Sequence, residues 1–119
     1  MIIVGHKDIP FVEFANISCI DDIANTKPNS FVLFDYDIDL MKYCYKNNID
    51  YGVNIFSIKE AIFANSLGAK FILSPKEFAI ILQPIVQNYM FDSKNLAIIK
   101  SEDEIEELAL KEVDGVIIL

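Results

Sequence analysis

Short apolar runs recur along the chain and are separated by segments with helical patterns. Most of these runs are continuous rather than alternating in polarity, which is typical of strands covered on both faces of a parallel sheet. A further strand is expected at residues 11–17, and residues 1–4 are predicted to pair with it through the turn at 5–10. The five clearest strands lie at residues 31–34, 51–55, 70–73, 96–99 and 115–119.

Four tetrads of the form S-x-x-[DE] mark where helices begin, at Ser18, Ser57, Ser74 and Ser101. In such a capping box, the serine hydroxyl accepts a hydrogen bond from a backbone N–H of the first turn, and the acidic side chain reaches back to the cap. Asp37 is expected to cap the remaining helix, near residues 38–48. Each strand is therefore predicted to lead directly into a helix.

Proline and glycine positions add detail to the helix ends. Pro75 occupies a first helical position, where the missing N–H costs nothing. Pro84 is expected to kink or split the helix that lies within residues 75–91. Gly68 and Gly115 lie where helices give way to strands, and we expect a left-handed backbone at both.

The order βαβαβαβαβαβ predicts a parallel sheet with right-handed crossovers. The expected fold class is α/β, a small open parallel sheet of five to six strands in a flavodoxin-like three-layer arrangement, formed by one domain over residues 1–119. A complete eight-stranded barrel takes more than ~200 residues. The alternative is therefore a half TIM-barrel that completes itself by dimerisation.

Charge and composition limit the class of protein. Hydrophobic residues make up 53% of the chain, which is enough for a buried sheet, and the net charge is -8. Such a negative chain repels phosphate backbones, so we expect no nucleic-acid or anionic-membrane partner. Cys19 and Cys44 are expected to be reduced and buried. No apolar run approaches the ~18–20 residues that span a bilayer, and we expect a cytoplasmic location.

Polar residues that follow the predicted strands define a candidate site. In an open α/β sheet, ligands bind beyond the carboxyl ends of the strands. The candidate ligand-binding residues are Asp35, Asp37, Asn54, Ser74 and Lys100. Asp35 and Asp37 are the candidate ligands of a metal ion, with Mg²⁺ as the candidate cofactor, and a small anionic ligand is the expected partner. Helix capping is the competing explanation for Asp37 and Ser74.

Residues 49–75, IDYGVNIFSIKEAIFANSLGAKFILSP, combine a Gly-Val strand, an S-x-x-E helix start, an alanine-rich helix and a strand that ends in proline. This segment resembles a later strand–helix–strand unit of the 2-keto-3-deoxy-phosphogluconate aldolase family. The resemblance implies a lyase that forms a Schiff base from a strand lysine. That lysine is absent, because its position holds Ile72 and Lys70 is out of register. The resemblance therefore supports the fold rather than the reaction.

Residues 31–40, FVLFDYDIDL, carry an apolar strand into the sequence D-x-D. This segment resembles the first motif of haloacid-dehalogenase-type phosphohydrolases, in which Gly and Thr follow D-x-D. The resemblance implies a magnesium-dependent phosphoryl-transfer site with Asp35 as nucleophile and metal ligand and Asp37 as acid/base. Ser74 would end the strand of the second motif, and Lys100 would hold the phosphate. Ile and Asp replace the family's Gly and Thr here.

The segment from Phe78 to Phe91 is apolar on more faces than one stripe against a sheet requires. It is therefore the expected interface of a homo-oligomer, a homodimer or larger. The leading functional interpretation is a non-catalytic binding or regulatory domain that acts as a homo-oligomer. The alternatives are a magnesium-dependent phosphoryl-transfer or hydrolase site at Asp35 and a degenerate aldolase-like barrel fragment.

Overall fold

The structure is a computed structural model that describes residues 1–26 and 30–119. Its strands are β1 (Ile2–Val4), β2 (Phe14–Asn16), β3 (Phe31–Asp35), β4 (Tyr51–Asn54), β5 (Phe71–Pro75), β6 (Lys94–Ile99) and β7 (Gly115–Ile118). Its α-helices are α1 (Ile38–Lys46), α2 (Ile58–Ser66), α3 (Lys76–Asn88) and α4 (Ile105–Leu110). Short 3₁₀ helices cover Ile20–Asn25 and Glu102–Glu104. Within the described residues, none of the helices combines the length and hydropathy needed to cross a bilayer.

The sheet has the strand order β1-β7-β6-β5-β4-β3-β2, and every neighbouring pair is parallel. From β2 to β7 each strand lies beside its predecessor in the chain. Right-handed crossovers that always advance in one direction place their helices on one face of the sheet. The result is an open, curled parallel sheet, a half-barrel.

The predicted α/β class and parallel sheet are confirmed, but the flavodoxin-like three-layer arrangement is wrong. That arrangement needs a reversal of strand order, which sends helices to both faces, and the described strands contain no reversal between β2 and β7. The prediction of five to six strands is also wrong, because both short N-terminal strands join the sheet and raise the number to seven. The half-barrel alternative describes the observed sheet.

Residues 1–4 do not pair with the segment at 11–17 as predicted. Strand β1 instead lies parallel to β7, with Ile2 opposite Gly115 and Val4 opposite Ile117. Strand β2 is parallel to β3 at the other end of the sheet. A tight turn can join only antiparallel neighbours, so the chain between β1 and β2 crosses from one edge strand to the other.

The two faces of the sheet have separate cores. On the outer face, strand residues such as Val53 and Ile72 pack with helix residues such as Met41 and Leu82. On the concave face, the buried cluster consists of strand residues alone: Val4, Leu33, Phe71, Leu73, Leu96 and Ile117. Successive side chains of a strand point to opposite faces, which explains the division. The chain's own side chains therefore cover part of the concave face.

A buried polar network fastens helix α3 to the sheet. The amide of Gln83 donates to Asp114 at 3.0 Å, and the amide of Asn95 donates to the carbonyl of Ala79 and to Gln83, both at 2.9 Å. The Asp114 carboxylate also accepts the backbone N–H of Asn95 at 2.9 Å. Hydrogen-bonded polar groups of this kind fix one arrangement of packed elements. The network sets the position of α3 over β6 and the start of β7.

Three of the predicted caps are confirmed. Asp37 accepts hydrogen bonds from two backbone N–H groups of the first turn of α1. The Ser57 hydroxyl accepts the backbone N–H of Glu60 at 3.2 Å, at the start of α2. Ser101 and Glu104 form a reciprocal capping box at the start of the second 3₁₀ helix. These local signals were sufficient because a cap depends on residues close in sequence.

The other two capping predictions are wrong. The N-terminal box is displaced by one residue, because Cys19 is the N-cap and Asp22 accepts the backbone N–H groups of Ser18 and Cys19. In the second case strand β5 continues through Ser74, and Pro75 occupies the N-cap of α3 without a side-chain hydrogen bond. The Ser74 side chain is 1% exposed, and its hydroxyl has no hydrogen-bond partner among the described residues.

The proline and glycine predictions have mixed outcomes. Helix α3 runs through Pro84 as one element, so the predicted split does not occur. Gly68 has the predicted left-handed backbone, with φ +77°. Gly115 lies within β7 instead, and Glu112, with φ +62°, is the left-handed residue before that strand. A Cβ atom at Gly115 would lie 2.5 Å from the Ile2 carbonyl oxygen and 2.7 Å from a Leu96 methyl. Close approach of β1, rather than a special φ, requires this glycine.

Replacement of Gly115 with Ala is expected to destabilise the fold by about 1–3 kcal/mol, the usual cost of overpacking, since the backbone oxygen of Ile2 has little freedom to move. Gly52→Ala is the matched control, because a Cβ there would meet side-chain atoms alone, at 3.2–3.5 Å. Urea denaturation of both variants measures the difference. Equal losses would contradict the assignment of a specific backbone clash to Gly115.

Replacement of Ser57 with Ala should lower the free energy of unfolding by about 0.5–2 kcal/mol, because the first turn of α2 loses its cap. Replacement of Ser74 with Ala should leave that free energy unchanged or raise it, because a buried hydroxyl without a partner is unfavourable. Chemical denaturation of the two variants distinguishes the roles of these serines. A loss at Ser74 as large as at Ser57 would mean that its hydroxyl does make a stabilising hydrogen bond.

Candidate functional site

The carboxyl ends of three neighbouring strands bring polar side chains together. Asn16, Asp35 and Asn54 are the last residues of β2, β3 and β4, which pair in that order. Each lies two positions after a concave-face residue, so each belongs to the concave face. The polar residues therefore form the rim above the apolar interior of the curled sheet.

A pocket of about 360 Å³ opens at this rim. Asp35 and Asn54 are directly linked within it, because the Asn54 amide nitrogen donates to the Asp35 carboxylate at 3.0 Å. This bond uses one oxygen of the Asp35 carboxylate, and the side-chain carbonyl oxygen of Asn54 accepts no hydrogen bond from the described residues. The polar lining is completed by Asn16, Ser18, Tyr36 and Asp37, and the apolar lining by Ile17, Leu33, Phe34 and Leu40.

Asp37 combines the two roles that the sequence suggested for it. Its Oδ1 atom accepts the backbone N–H groups of Asp39 and Leu40, both at 3.1 Å. The same side chain also lines the pocket beside Asp35. The capping bonds engage Oδ1 and hold the carboxylate in place. Neither of these two bonds engages Oδ2.

Ser74 and Lys100 are not brought to this pocket. Ser74 is buried on the face of β5 opposite to the concave residue Leu73. Lys100 follows β6, and neither residue lines the pocket. Strand β5 lies between β4 and β6, and this strand order separates the end of β6 from the ends of β3 and β4. The candidate set of Asp35, Asp37, Asn54, Ser74 and Lys100 therefore divides into three pocket residues and two that lie elsewhere.

Other charged residues of the same edge are engaged with one another. The Lys76 ammonium lies 3.1 Å from Glu104 and 3.2 Å from Glu107. The hydrogen bond to Glu104, followed by that to Glu107, raises the pKa of Lys76. The Glu104 carboxylate also accepts the backbone N–H of Lys100 at 3.0 Å, which is the main reason that the pKa of Glu104 is lowered. This cluster links the start of α3 to α4 and to the 3₁₀ helix before it, and it lies outside the pocket lining.

Sequence reasoning missed Asn16, Ser18 and Tyr36 as pocket residues. A signal was present for Asn16, because it is a polar residue near the end of an apolar strand, as Asp35 and Asn54 are. The predicted strand ran one residue past it, to Ile17, and this concealed its position at a strand end. Ser18 had been interpreted as a cap alone. The three neighbouring strands of the pocket, β2, β3 and β4, are consecutive in the chain, so polar residues at their ends are candidates for one site.

The pocket is acidic. Asp35 and Asp37 line it, and no lysine, arginine or histidine does so among the described residues. The described part of the chain also contains no group of three or more His, Cys, Asp or Glu side chains arranged to hold a metal ion. Mg²⁺ is commonly held by one or two carboxylates. A magnesium site therefore stays a prediction, and its protein ligands would be the two carboxylates of Asp35 and Asp37.

The cysteines provide no nucleophile for this site. Cys44 is buried as predicted, and burial raises the pKa of its thiol to about 11. The thiol therefore stays protonated at neutral pH. The prediction of burial is wrong for Cys19, which is exposed because it caps the first 3₁₀ helix at the surface. Both cysteines are free.

The positions that the aldolase resemblance singled out lie away from the pocket. Ile72, at the position of the Schiff-base lysine, is buried in the core between the sheet and the helices. Lys70 is exposed and precedes β5, at the opposite edge of the sheet. A Schiff base at the pocket would need a lysine that the described lining does not have.

No known protein-family model matches this sequence, and no curated protein matches it. The resemblances to the aldolase family and to the haloacid-dehalogenase-type phosphohydrolases therefore stay predictions.

Proposed function

We propose that the chain is a non-catalytic binding domain that takes a small polar ligand in the pocket at Asp35 and Asn54. One observation carries this proposal. The hydrogen-bonded pair of Asp35 and Asn54 lies at the carboxyl edge of a curled parallel sheet, above an apolar interior, and opens into a pocket. The carboxyl ends of parallel strands are where open sheets and barrels bind their ligands.

The lining defines the chemistry of the ligand. Two carboxylates and the carbonyl oxygen of Asn54 are acceptors, and they suit a ligand that offers a cationic group or several hydroxyl or amino donors. Leu33, Phe34 and Leu40 provide apolar contact for the rest of such a ligand. The small anionic ligand expected from the sequence is not supported at this pocket, because two carboxylates would repel it.

The magnesium-dependent alternative depends on the same two carboxylates. Asp35 as nucleophile and Asp37 as acid/base would share one pocket, which favours this hypothesis over a site elsewhere. Phosphoryl transfer also needs positive charge around the phosphate. Lys100 and Ser74, which would hold the phosphate, are outside the pocket lining. Simple ligand binding is therefore the better supported proposal, and the degenerate aldolase-like fragment ranks third because its lysine is absent.

The proposed homo-oligomer uses helix α3 and the turn that follows it. Within the segment from Phe78 to Phe91, Leu82 and Val86 are buried against the sheet. Three apolar side chains are left to the solvent, with Ile81 59%, Tyr89 75% and Met90 83% exposed. Exposed apolar side chains that belong to one short segment of the chain favour a protein–protein contact. A contact there would leave the pocket open, since none of the three residues lines it.

The ligand proposal predicts a thermal shift that depends on Asp35. A panel of amino acids, diamines, monosaccharides and MgCl₂ at millimolar concentration is screened by differential scanning fluorimetry. At least one amine or polyol should stabilise the protein, by about 2.7 kcal/mol at 100 times its Kd, because a ligand that binds the folded state alone shifts the equilibrium by mass action. Asp35→Asn should remove the shift.

Asp39→Asn is the matched control, because Asp39 carries the same charge on the neighbouring helix but does not line the pocket. It should retain the shift. A shift from MgCl₂ that only Asp35→Asn removes would favour the phosphoryl-transfer alternative instead. Stabilisation that survives Asp35→Asn, or no stabilisation by any amine or polyol, would contradict the proposed ligand site.

The oligomer proposal predicts that a charge on α3 dissociates the protein. Sedimentation equilibrium at micromolar concentration should give a mass above the 13.5 kDa of one chain. Ile81→Asp should lower the mass to that of a monomer, because a carboxylate in an apolar contact has no partner. Gln87→Asp, at an exposed polar position of the same helix, should leave the mass unchanged. A wild-type mass of 13.5 kDa would refute the homo-oligomer.

A further inference from the structure

A second cavity lies at the opposite edge of the sheet, where the strands begin. Its volume is about 580 Å³, which falls within the range of small-molecule sites. The walls are mostly apolar and are formed by Ile2, Phe11, Val12, Phe31 and Phe71. The cavity is separate from the pocket at Asp35, and the two share no lining residue.

The apolar wall is a preformed aromatic cluster. The rings of Phe31 and Phe71 meet edge to face with centroids 5.1 Å apart, and Phe11 meets Phe71 in the same way at 6.0 Å. Phe14 lies behind them, 5.5 Å from Phe71. Edge-to-face pairs hold each other in defined orientations. The ring of Phe71 is almost fully buried, while Phe11 and Val12 are partly exposed at the mouth.

Two lysines stand at the mouth of this cavity. Lys70 immediately precedes β5, and Lys94 is the first residue of the adjacent strand β6. The Lys94 backbone N–H donates to the Lys70 carbonyl at 2.9 Å. Both side chains are exposed. Among the described residues, neither ammonium group has a hydrogen-bond or ion-pair partner. Among the described residues that line the cavity, Asp92 is the one that carries a carboxylate, so these residues have a net positive charge in a protein whose net charge is -8.

We propose that this cavity binds a small amphipathic anion, with its apolar chain or ring against the phenylalanine cluster and its carboxylate beside Lys70 and Lys94. The apolar wall excludes a fully polar ligand, because its groups would lose their hydrogen bonds to water. The two free ammonium groups select a negative headgroup. The ligand is a free molecule rather than a lipid in a bilayer, because the strongly negative chain is repelled by anionic membranes.

Isothermal titration with decanoate, below its micellar concentration, tests this proposal. Decanoate should bind the wild-type protein with one site per chain, and decyltrimethylammonium, which has the same chain length and the opposite charge, should bind about tenfold more weakly. Lys94→Glu should weaken decanoate binding about fivefold, because one attractive charge becomes repulsive. Val12→Trp should abolish binding by filling the mouth.

Lys59→Glu is the matched control, because it changes the net charge equally at an exposed residue of α2 that does not line the cavity. It should leave decanoate binding unchanged, as should Asp35→Asn in the other pocket. Circular dichroism checks that each variant is folded. If Val12→Trp does not fold, Lys94→Glu still tests the site.

Four outcomes would overturn the proposal. Absence of decanoate binding to the wild-type protein, or equal weakening by Lys59→Glu and Lys94→Glu, would refute a specific anion site. Equal affinity for decanoate and decyltrimethylammonium would show that the cavity binds apolar chains without selecting for charge. Binding to vesicles of anionic phospholipid without binding to free decanoate would assign the surface to a membrane instead.

Discussion

The curl of the sheet depends on close contact among the side chains of its concave face. Val4 from one edge strand and Phe14 from the other both pack on the same apolar cluster, although β1 and β2 are not hydrogen-bonded neighbours. A flat sheet of seven strands would hold these two side chains far apart. Gly52 and Gly115 make the approach possible, because a Cβ atom at either position would meet the neighbouring strand residues at 3.5 Å or less. Burial of this cluster is the favourable free energy that bends the sheet.

The carboxyl and amino ends of the strands form two edges of the sheet that differ in charge, and the helices are the reason for the difference. Helices begin at the carboxyl edge, where unpaired backbone N–H groups attract carboxylates. Asp37, Glu60 and Glu104 each accept such groups. Helices end at the amino edge, where negative charge is unfavourable, and Lys70 and Lys94 lie there. Asp35 and Asp37 make their pocket a poor site for anions, whereas Lys70 and Lys94 supply the positive charge that the proposed anion site at the amino edge requires.

Local features of the fold could be predicted from the sequence, whereas the features that depend on curvature could not. The strands that follow Ser30 and the caps at Asp37, Ser57 and Ser101 depend on neighbours within a few residues. Strand order depends on the direction of each crossover, which no local pattern specifies. The pairing of Ile2 with Gly115 joins opposite ends of the chain. The site was predictable to the same degree. Asp35 and Asn54 end consecutive strands that pair in the sheet, whereas Lys100 follows β6, which β5 separates from β4.

The exposed apolar side chains of helix α3 and of the turn after it are not needed to hold the helix on the sheet. The helix is already fixed to the sheet by Leu82 and Val86 and by the hydrogen bonds of Gln83 with Asn95 and Asp114. Its underside even tolerates two unfavourable groups, the Ser74 hydroxyl and the Asn95 carbonyl oxygen, which are buried without partners among the described residues. A helix held only marginally would not sustain that cost of burial. Ile81, Tyr89 and Met90 therefore contribute little to the stability of one chain, and their exposure agrees with the proposed contact with a second chain.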